Sequence, residues 1–151
     1  MDYRKLASSA IDALWTLQKQ YKKEIGEDEP TDEDKERLAE AIDKGTISFY
    51  GVWEENTLIG CCSVTVGFST FNYSPCGVLE DFYICPEYRH QGIGSIVVTE
   101  CEKWATELGY GKAIVESRDN KVEFYEKLGY KATGELISGE TFRCIRMEKE
   151  L

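Results

Sequence analysis

Between residues 8 and 23, Ala10, Ile11, Leu14, Trp15, Leu17 and Tyr21 recur at helical spacing and fall on one face. The pattern predicts a first helix with Ser8 or Ser9 as its cap, preceded by a short strand over residues 2–6. Residues 26–30, from a glycine to a proline, break the period. A second helix is predicted from Thr31 to near Gly45. Acids at 32–34 suit the positive end of its dipole, and Leu38, Ala41 and Ile42 form its apolar stripe. The period then changes. Residues 46–53 and 58–68 read as strands around the polar turn Glu54-Glu55-Asn56-Thr57. Residues 69–77 read as a loop carrying Pro75, and 78–85 as a strand closed by Pro86.

A long helix is predicted over 92–108, burying Ile93, Ile96, Val97, Cys101, Trp104, Ala105 and Leu108, with Gly109 as its stop. A short strand over 112–116 and a short helix over 120–128, ended by Gly129, come next. A final strand pair is predicted over 130–137 and 141–147, around Ser138-Gly139-Glu140. No repeat, linker or low-complexity segment divides the chain. The expectation is a single α/β (mixed α+β) domain over residues 1–151, strand-rich in its middle.

At 151 residues the chain can bury a proper core. Its net charge of −10 would repel a phosphate backbone, which argues against a nucleic-acid partner; the same field would attract cationic small molecules or basic protein segments, or simply keeps the protein soluble. No apolar run of about 18 residues is present, so no membrane span is expected. The opening Met1-Asp2-Tyr3-Arg4-Lys5 lacks the apolar core of a signal peptide, which predicts a cytoplasmic protein. The six cysteines show no Cys-x-x-Cys spacing and the one histidine is His90, so neither a metal site nor a disulfide framework is expected.

The stretch from Leu79 to Ser95 carries the chemistry. It reads as a strand, then the turn Arg89-His90-Gln91-Gly92-Ile93-Gly94-Ser95, then an apolar helix. A glycine-rich turn opening a helix offers free backbone N–H groups to an anion, and this array suits a pyrophosphate. It is not a Walker A loop, since no Gly-Lys-Ser/Thr follows. Two carboxylates, Glu80 and Asp81, lie on the strand leading in. As strand neighbours they are expected to point to opposite faces. By itself the turn serves equally as punctuation between strand and helix. A second segment, Phe124-Tyr125-Glu126-Lys127-Leu128-Gly129-Tyr130, reads on its own as a short amphipathic helix.

Together, Arg89-x-x-Gly92-x-Gly94 and Phe124-Tyr125-Glu126-Lys127-Leu128-Gly129-Tyr130 resemble the signature of the GCN5-related N-acetyltransferase (GNAT) superfamily. The order of predicted elements is similar over nearly the whole chain. The resemblance implies a central, mostly antiparallel mixed sheet flanked by about four helices, with acetyl-CoA as co-substrate and no metal. It assigns the pyrophosphate to the turn residues His90, Gln91, Gly92, Ile93, Gly94 and Ser95, with Arg89 nearby. Backbone groups of Phe82, Tyr83 and Ile84 pair with the pantetheine arm in this scheme, and Tyr125 protonates the departing thiolate. Glu80 matches the strand glutamate that many members use as base, often through water, and Asp81 is the second candidate. Many relatives carry an Asn seven residues before the tyrosine. Here Arg118 stands at that position and Asn120 lies five before, so either is expected to contact the cofactor.

The run Leu79-Glu80-Asp81-Phe82-Tyr83 is similar to that of polyamine-type acetyltransferases, which implies transfer to a primary amine of a small cationic acceptor, polyamine- or aminoglycoside-like. Acids between Glu24 and Glu36 would steer such a molecule or simply solvate a helix junction. Phe68, Phe71 and Tyr73 fit either an acceptor-pocket wall or core packing. A covalent route through Cys85, with His90 as its activating partner, is a rival mechanism. Other readings are a non-catalytic acyl-CoA sensor, or an acetyltransferase for protein N-termini or lysines. Oligomeric state is open, with a homodimer compatible.

Overall fold

The computed structural model describes residues 1–139 and 143–151. Its elements in chain order are β1 (Asp2–Lys5), α1 (Ile11–Glu24), α2 (Asp32–Asp43), β2 (Ser48–Glu54), β3 (Thr57–Ser69), β4 (Ser74–Ile84), α3 (Ile93–Glu107), β5 (Lys112–Arg118), α4 (Val122–Lys127), β6 (Lys131–Ser138) and β7 (Arg143–Glu150). The strands form one sheet in the order β1-β2-β3-β4-β5-β7-β6. All neighbours are antiparallel except β4 and β5. The expected mixed, mostly antiparallel sheet with four α-helices is the one observed.

Helix α1 departs from its expected start. A single 3-10 turn over Ser8–Ala10 leads into it, the capping position is Ala10, and neither serine side chain caps the helix. At α2 the sequence signal was sufficient. Thr31 Oγ1 accepts the Asp34 N–H at 3.2 Å, and Asp34 Oδ2 accepts the Thr31 N–H at 2.8 Å. This capping box satisfies two otherwise orphaned donors.

The segment 69–77 is mostly strand rather than loop: Thr65 to Ser69 pair with Val78 to Ser74 in a long β3–β4 hairpin. The predicted final pair appears as β6 and β7, while Glu140 and residues 141 and 142 lie outside the described residues.

Both faces of the sheet are covered. On one face α3 and α4 pack over Val52, Ile59, Cys62, Val64, Leu79 and Ile84. On the other, α1 packs Leu14 and Leu17 over Phe49, Leu58, Cys61, Tyr83 and Cys85. All six cysteines are buried free thiols, serving as small apolar side chains.

Candidate active site

β4 and β5 meet through three residue pairs only, Gly77–Ala113, Val78–Ile114 and Leu79–Val115. Beyond this seam β5 stays with β7, through Arg118 opposite Cys144, and β4 stays with β3, through Ile84 opposite Gly60. The two strands therefore part, and one edge of β4 runs free from Glu80 onward.

The direction of the peptide groups on that edge follows from the ladder. Cys85 N–H donates to Ile59 C=O at 2.9 Å. Alternation in an antiparallel pair then turns Tyr83 towards β3 as well, and Ile84 and Phe82 towards the parted edge. Of the three residues expected to offer backbone groups there, Tyr83 is committed to β3. The Ile84 carbonyl already accepts Arg89 Nε at 2.8 Å. Arg89 is further held by Glu24 at 2.7 Å and by the Tyr83 ring, 5.4 Å from its guanidinium carbon. Its guanidinium thus ties α1 to the end of β4 as well as standing beside the turn.

The free edge leads directly to the glycine turn. No backbone N–H from residue 90 to residue 95 donates to an acceptor among the described residues; the first to do so is Ile96, to Gly92 C=O. Gly92 sits at φ +79° with open space around it, so backbone conformation selects glycine there. At Gly94 packing selects it, since a Cβ would lie 2.8 Å from Phe82 Cζ. His90 also adopts positive φ, at 61°. The turn is structural punctuation and an array of six unsatisfied donors at once.

Next to Phe82 a β-bulge sets Asp81 and Phe82 opposite the single residue Cys62, with Asp81 at φ +47°. The bulge overturns the expected placement of the carboxylates. Glu80 stands opposite Ser63 on the α1 face, while Asp81 turns to Gln18 and Lys22 of α1. Both acids therefore share one face. Burial raises the Glu80 pKa first, and the charges of Asp81 and Glu116 add to it. Burial likewise raises Asp81, offset by Lys22 and Gln18. Ser63 Oγ is buried beside Glu80 without a formed hydrogen bond, whereas the Gln18 side chain already bears on Asp81 as a donor.

Tyr125 lies on α4, 8% exposed, under the opposite face of the same edge. Its ring meets Phe124 at 5.0 Å, Tyr130 at 5.6 Å and Phe82 at 6.5 Å, all edge-on. Burial raises its pKa, so the phenol stays protonated at any physiological pH.

Sequence reasoning missed Tyr21. Burial, followed by the Asp81 charge, pushes it up to about 12. Its ring lies 5.8 Å from that of Tyr83 on the α1 face of the sheet. Its helical spacing matched the apolar stripe of α1, and nothing local distinguished it. Asn120 is exposed in a 3-10 turn between β5 and α4, whereas the Arg118 charge reaches Tyr21 and Cys144.

Two expectations fail. Cys85 Sγ points to Gln20 Oε1 at 3.7 Å on the α1 face, and burial raises its pKa, so it is not an activated nucleophile. Phe68, Phe71 and Tyr73 sit at the end of β4 remote from the parted edge and are exposed, so they are neither pocket wall nor core. Among the described residues no three His, Cys, Asp or Glu side chains group as metal ligands, and no helix is long and apolar enough to cross a membrane.

A mixed sheet that opens at one short parallel seam, with an amide-lined turn beginning the helix after the parted strand, defines an N-acetyltransferase-type domain. A family model described as "Acetyltransferase (GNAT) family" matches residues 11–130, and the chain belongs to that family. It is 33% identical over 98 residues to a thialysine N-epsilon-acetyltransferase of Bos taurus, covering 60% of this chain and 56% of the relative. It is 33% identical over 79 residues to a probable glucosamine 6-phosphate N-acetyltransferase of Drosophila melanogaster, covering 52% and 36%. The chain thus spans about half or less of the length of these curated relatives. A solved predicted acetyltransferase with acetyl-CoA from Clostridium acetobutylicum shares the fold at TM-score 0.77 and 18% identity, covering 92% of this chain and 95% of that one.

Proposed function

We propose that the chain is an acetyl-CoA-dependent N-acetyltransferase that passes the acetyl group directly to a primary amine of a small cationic acceptor. The parting of β4 from β5 carries this reading. It leaves one strand edge that ends at six undonated amides, with a protonated phenol on one side and two carboxylates on the other. Acetyl-CoA supplies the activated thioester and the thiolate leaving group. The amides of residues 90–95 bind the pyrophosphate, and the Ile84 N–H and Phe82 peptide groups align the pantetheine arm as an added strand would be aligned.

An alkylamine arrives protonated and must lose a proton before it attacks. Glu80 accepts that proton, with Asp81 beside it, through a water for which Ser63 Oγ offers a buried polar partner. Their raised pKa values make both acids better bases than an ordinary carboxylate. Tyr125 donates a hydrogen bond to the sulfur as negative charge develops on it. The acylated nitrogen sheds its second proton as the amide forms, and that proton balances the departing thiolate, which leaves as CoA thiol.

Glu80, Asp81 and Glu116 lie close enough for their charges to act together, opposed by Lys22, and the net negative field favours a cationic acceptor. A phosphorylated sugar would meet three carboxylates, so the similarity to the thialysine enzyme fits better than that to the glucosamine 6-phosphate enzyme. Six buried thiols without a disulfide suit a reducing, cytoplasmic setting.

The test is thiol release from acetyl-CoA with polyamines, basic amino acids, aminoglycosides and peptides, run beside thermal denaturation with millimolar acetyl-CoA. The expected result is turnover with a small di- or polyamine and a cofactor-dependent rise in Tm. A rise in Tm without turnover on any amine makes the chain an acyl-CoA sensor. No rise in Tm overturns both readings.

A further inference from the structure

The β3–β4 hairpin extends past its neighbours. β2 pairs with β3 only as far as Val64, and β5 meets β4 only from Gly77 onward. Residues 65–76 therefore form a two-stranded ribbon that, among the described residues, no other strand flanks. Pro75 removes an N–H from its β4 side, which leaves the β3 side, residues 65–69, as the open edge.

Its composition differs from that of the rest of the molecule. The chain carries 46 charged residues in 151, yet none lies between Asn56 and Leu79, a stretch of 24 residues. Natural edge strands commonly carry a charge that discourages pairing, and this one carries none. Instead it presents Val66 at 59% exposure, Phe68 at 64%, Phe71 at 99% and Tyr73 at 77%. Val66 stands opposite Gly77, whose face meets Ala105 and Tyr110, so Val66 and Phe68 look out beside the end of α3, where Leu108 is also exposed.

We propose that this ribbon is the surface through which the chain associates with a second copy of itself, open β3 edge to open β3 edge about a two-fold axis. Charge selects the partner. Two chains of net charge −10 repel over their acidic faces, and the ribbon is where they approach with no acid opposing another. A basic partner would instead be drawn to the acids of α2, and an anionic surface would be repelled. Size agrees. Phe68, Phe71 and Tyr73 alone offer roughly 500 Å² per copy at 150–250 Å² per ring. Two copies thus bury about 1,000 Å², the area at which contacts become specific. An isologous contact of this kind closes at two copies. The ribbon lies at the end of β4 away from the parted edge, so association leaves that edge accessible.

Sedimentation velocity and light scattering on the full chain from about 1 to 200 μM test the proposal. The expected result is twice the monomer mass at the upper concentrations. The double substitution Phe68→Lys and Phe71→Lys should weaken dissociation constants by at least about 100-fold, with circular dichroism and Tm unchanged because both side chains are exposed. Hydrogen–deuterium exchange should show amides 65–69 protected in proportion to the dimer fraction. A wild-type monomer throughout the range overturns the proposal. So does a dimer that the double variant leaves intact, or a dimer whose amides 65–69 exchange freely. Binding of a monomeric wild type to neutral phosphatidylcholine vesicles would assign the ribbon to a membrane surface instead.

Discussion

Glu80 and Asp81 are sequence neighbours that share one face of the sheet, because the bulge opposite Cys62 holds Asp81 at φ +47° and interrupts the alternation of β4. The geometry places an exposed acid and a half-buried one in one electrostatic field, which is costly in the absence of an acceptor.

That cost has a sign in pH. Both folded pKa values lie above the ordinary 3.8 of Asp and 4.5 of Glu. Between the ordinary and the raised values the native state binds more protons than the unfolded chain, so these acids make stability fall as pH rises through that window. Asp81→Asn removes one charge and places at φ +47° a residue that tolerates the left-handed region. Urea denaturation at pH 4, 5.5 and 7 should show the variant gaining stability over wild type as pH rises. A constant difference across the three values would contradict the assignment.

Tyr125→Phe should lower kcat by about 100-fold while leaving the Kd for acetyl-CoA within about twofold. The phenol is assigned to the leaving sulfur and not to cofactor binding. Steady-state thiol release with calorimetric titration of CoA measures the two separately, and equal losses in both would refute the role.

The two glycines of the turn should respond differently to alanine. Gly94→Ala drives a methyl group to within 2.8 Å of Phe82 Cζ and should cost about 1–3 kcal/mol through overpacking. Gly92→Ala meets open space and should cost only about 1 kcal/mol through its positive φ. Chemical denaturation of the pair distinguishes packing from backbone conformation.

Lys149 and Glu102 form an ion pair at 2.9 Å between β7 and α3, with the Glu102 side chain only 10% exposed. Lys149→Met strands that carboxylate and should cost about 3 kcal/mol, more than the double change Lys149→Met with Glu102→Leu. If the single variant proves no worse than the double, water already compensates Glu102.

Much of the fold was legible because its signals are local. The α2 capping box rests on Thr31 and Asp34 three residues apart, and the turn at Gly92 and Gly94 marks the start of α3 at Ile93. The paired motifs implied a family that the family match bears out. What was illegible depends on long-range pairing. The bulge at Asp81 and Phe82 carries no glycine to announce it, and it reverses the face of Glu80. Residues 69–77 read as a loop because Pro75 and the polar Ser69, Thr70, Asn72 and Ser74 hid a strand that only pairing with β3 creates. Tyr21 matched a core stripe, and its position beside the acids depends on how α1 crosses β4.

The three-pair seam between β4 and β5 also gives the domain a mechanical grain. Hydrogen bonds join β1 through β4 as one antiparallel plate and β5 through β7 as another, with α3 as the covalent bridge between them. Under a load that pulls the plates apart, the seam carries the fewest backbone bonds between them and yields before either plate does. A ligand that lies along the parted edge acts as a splint, and the resistance of the domain to tearing then varies with how much of that ligand surrounds it.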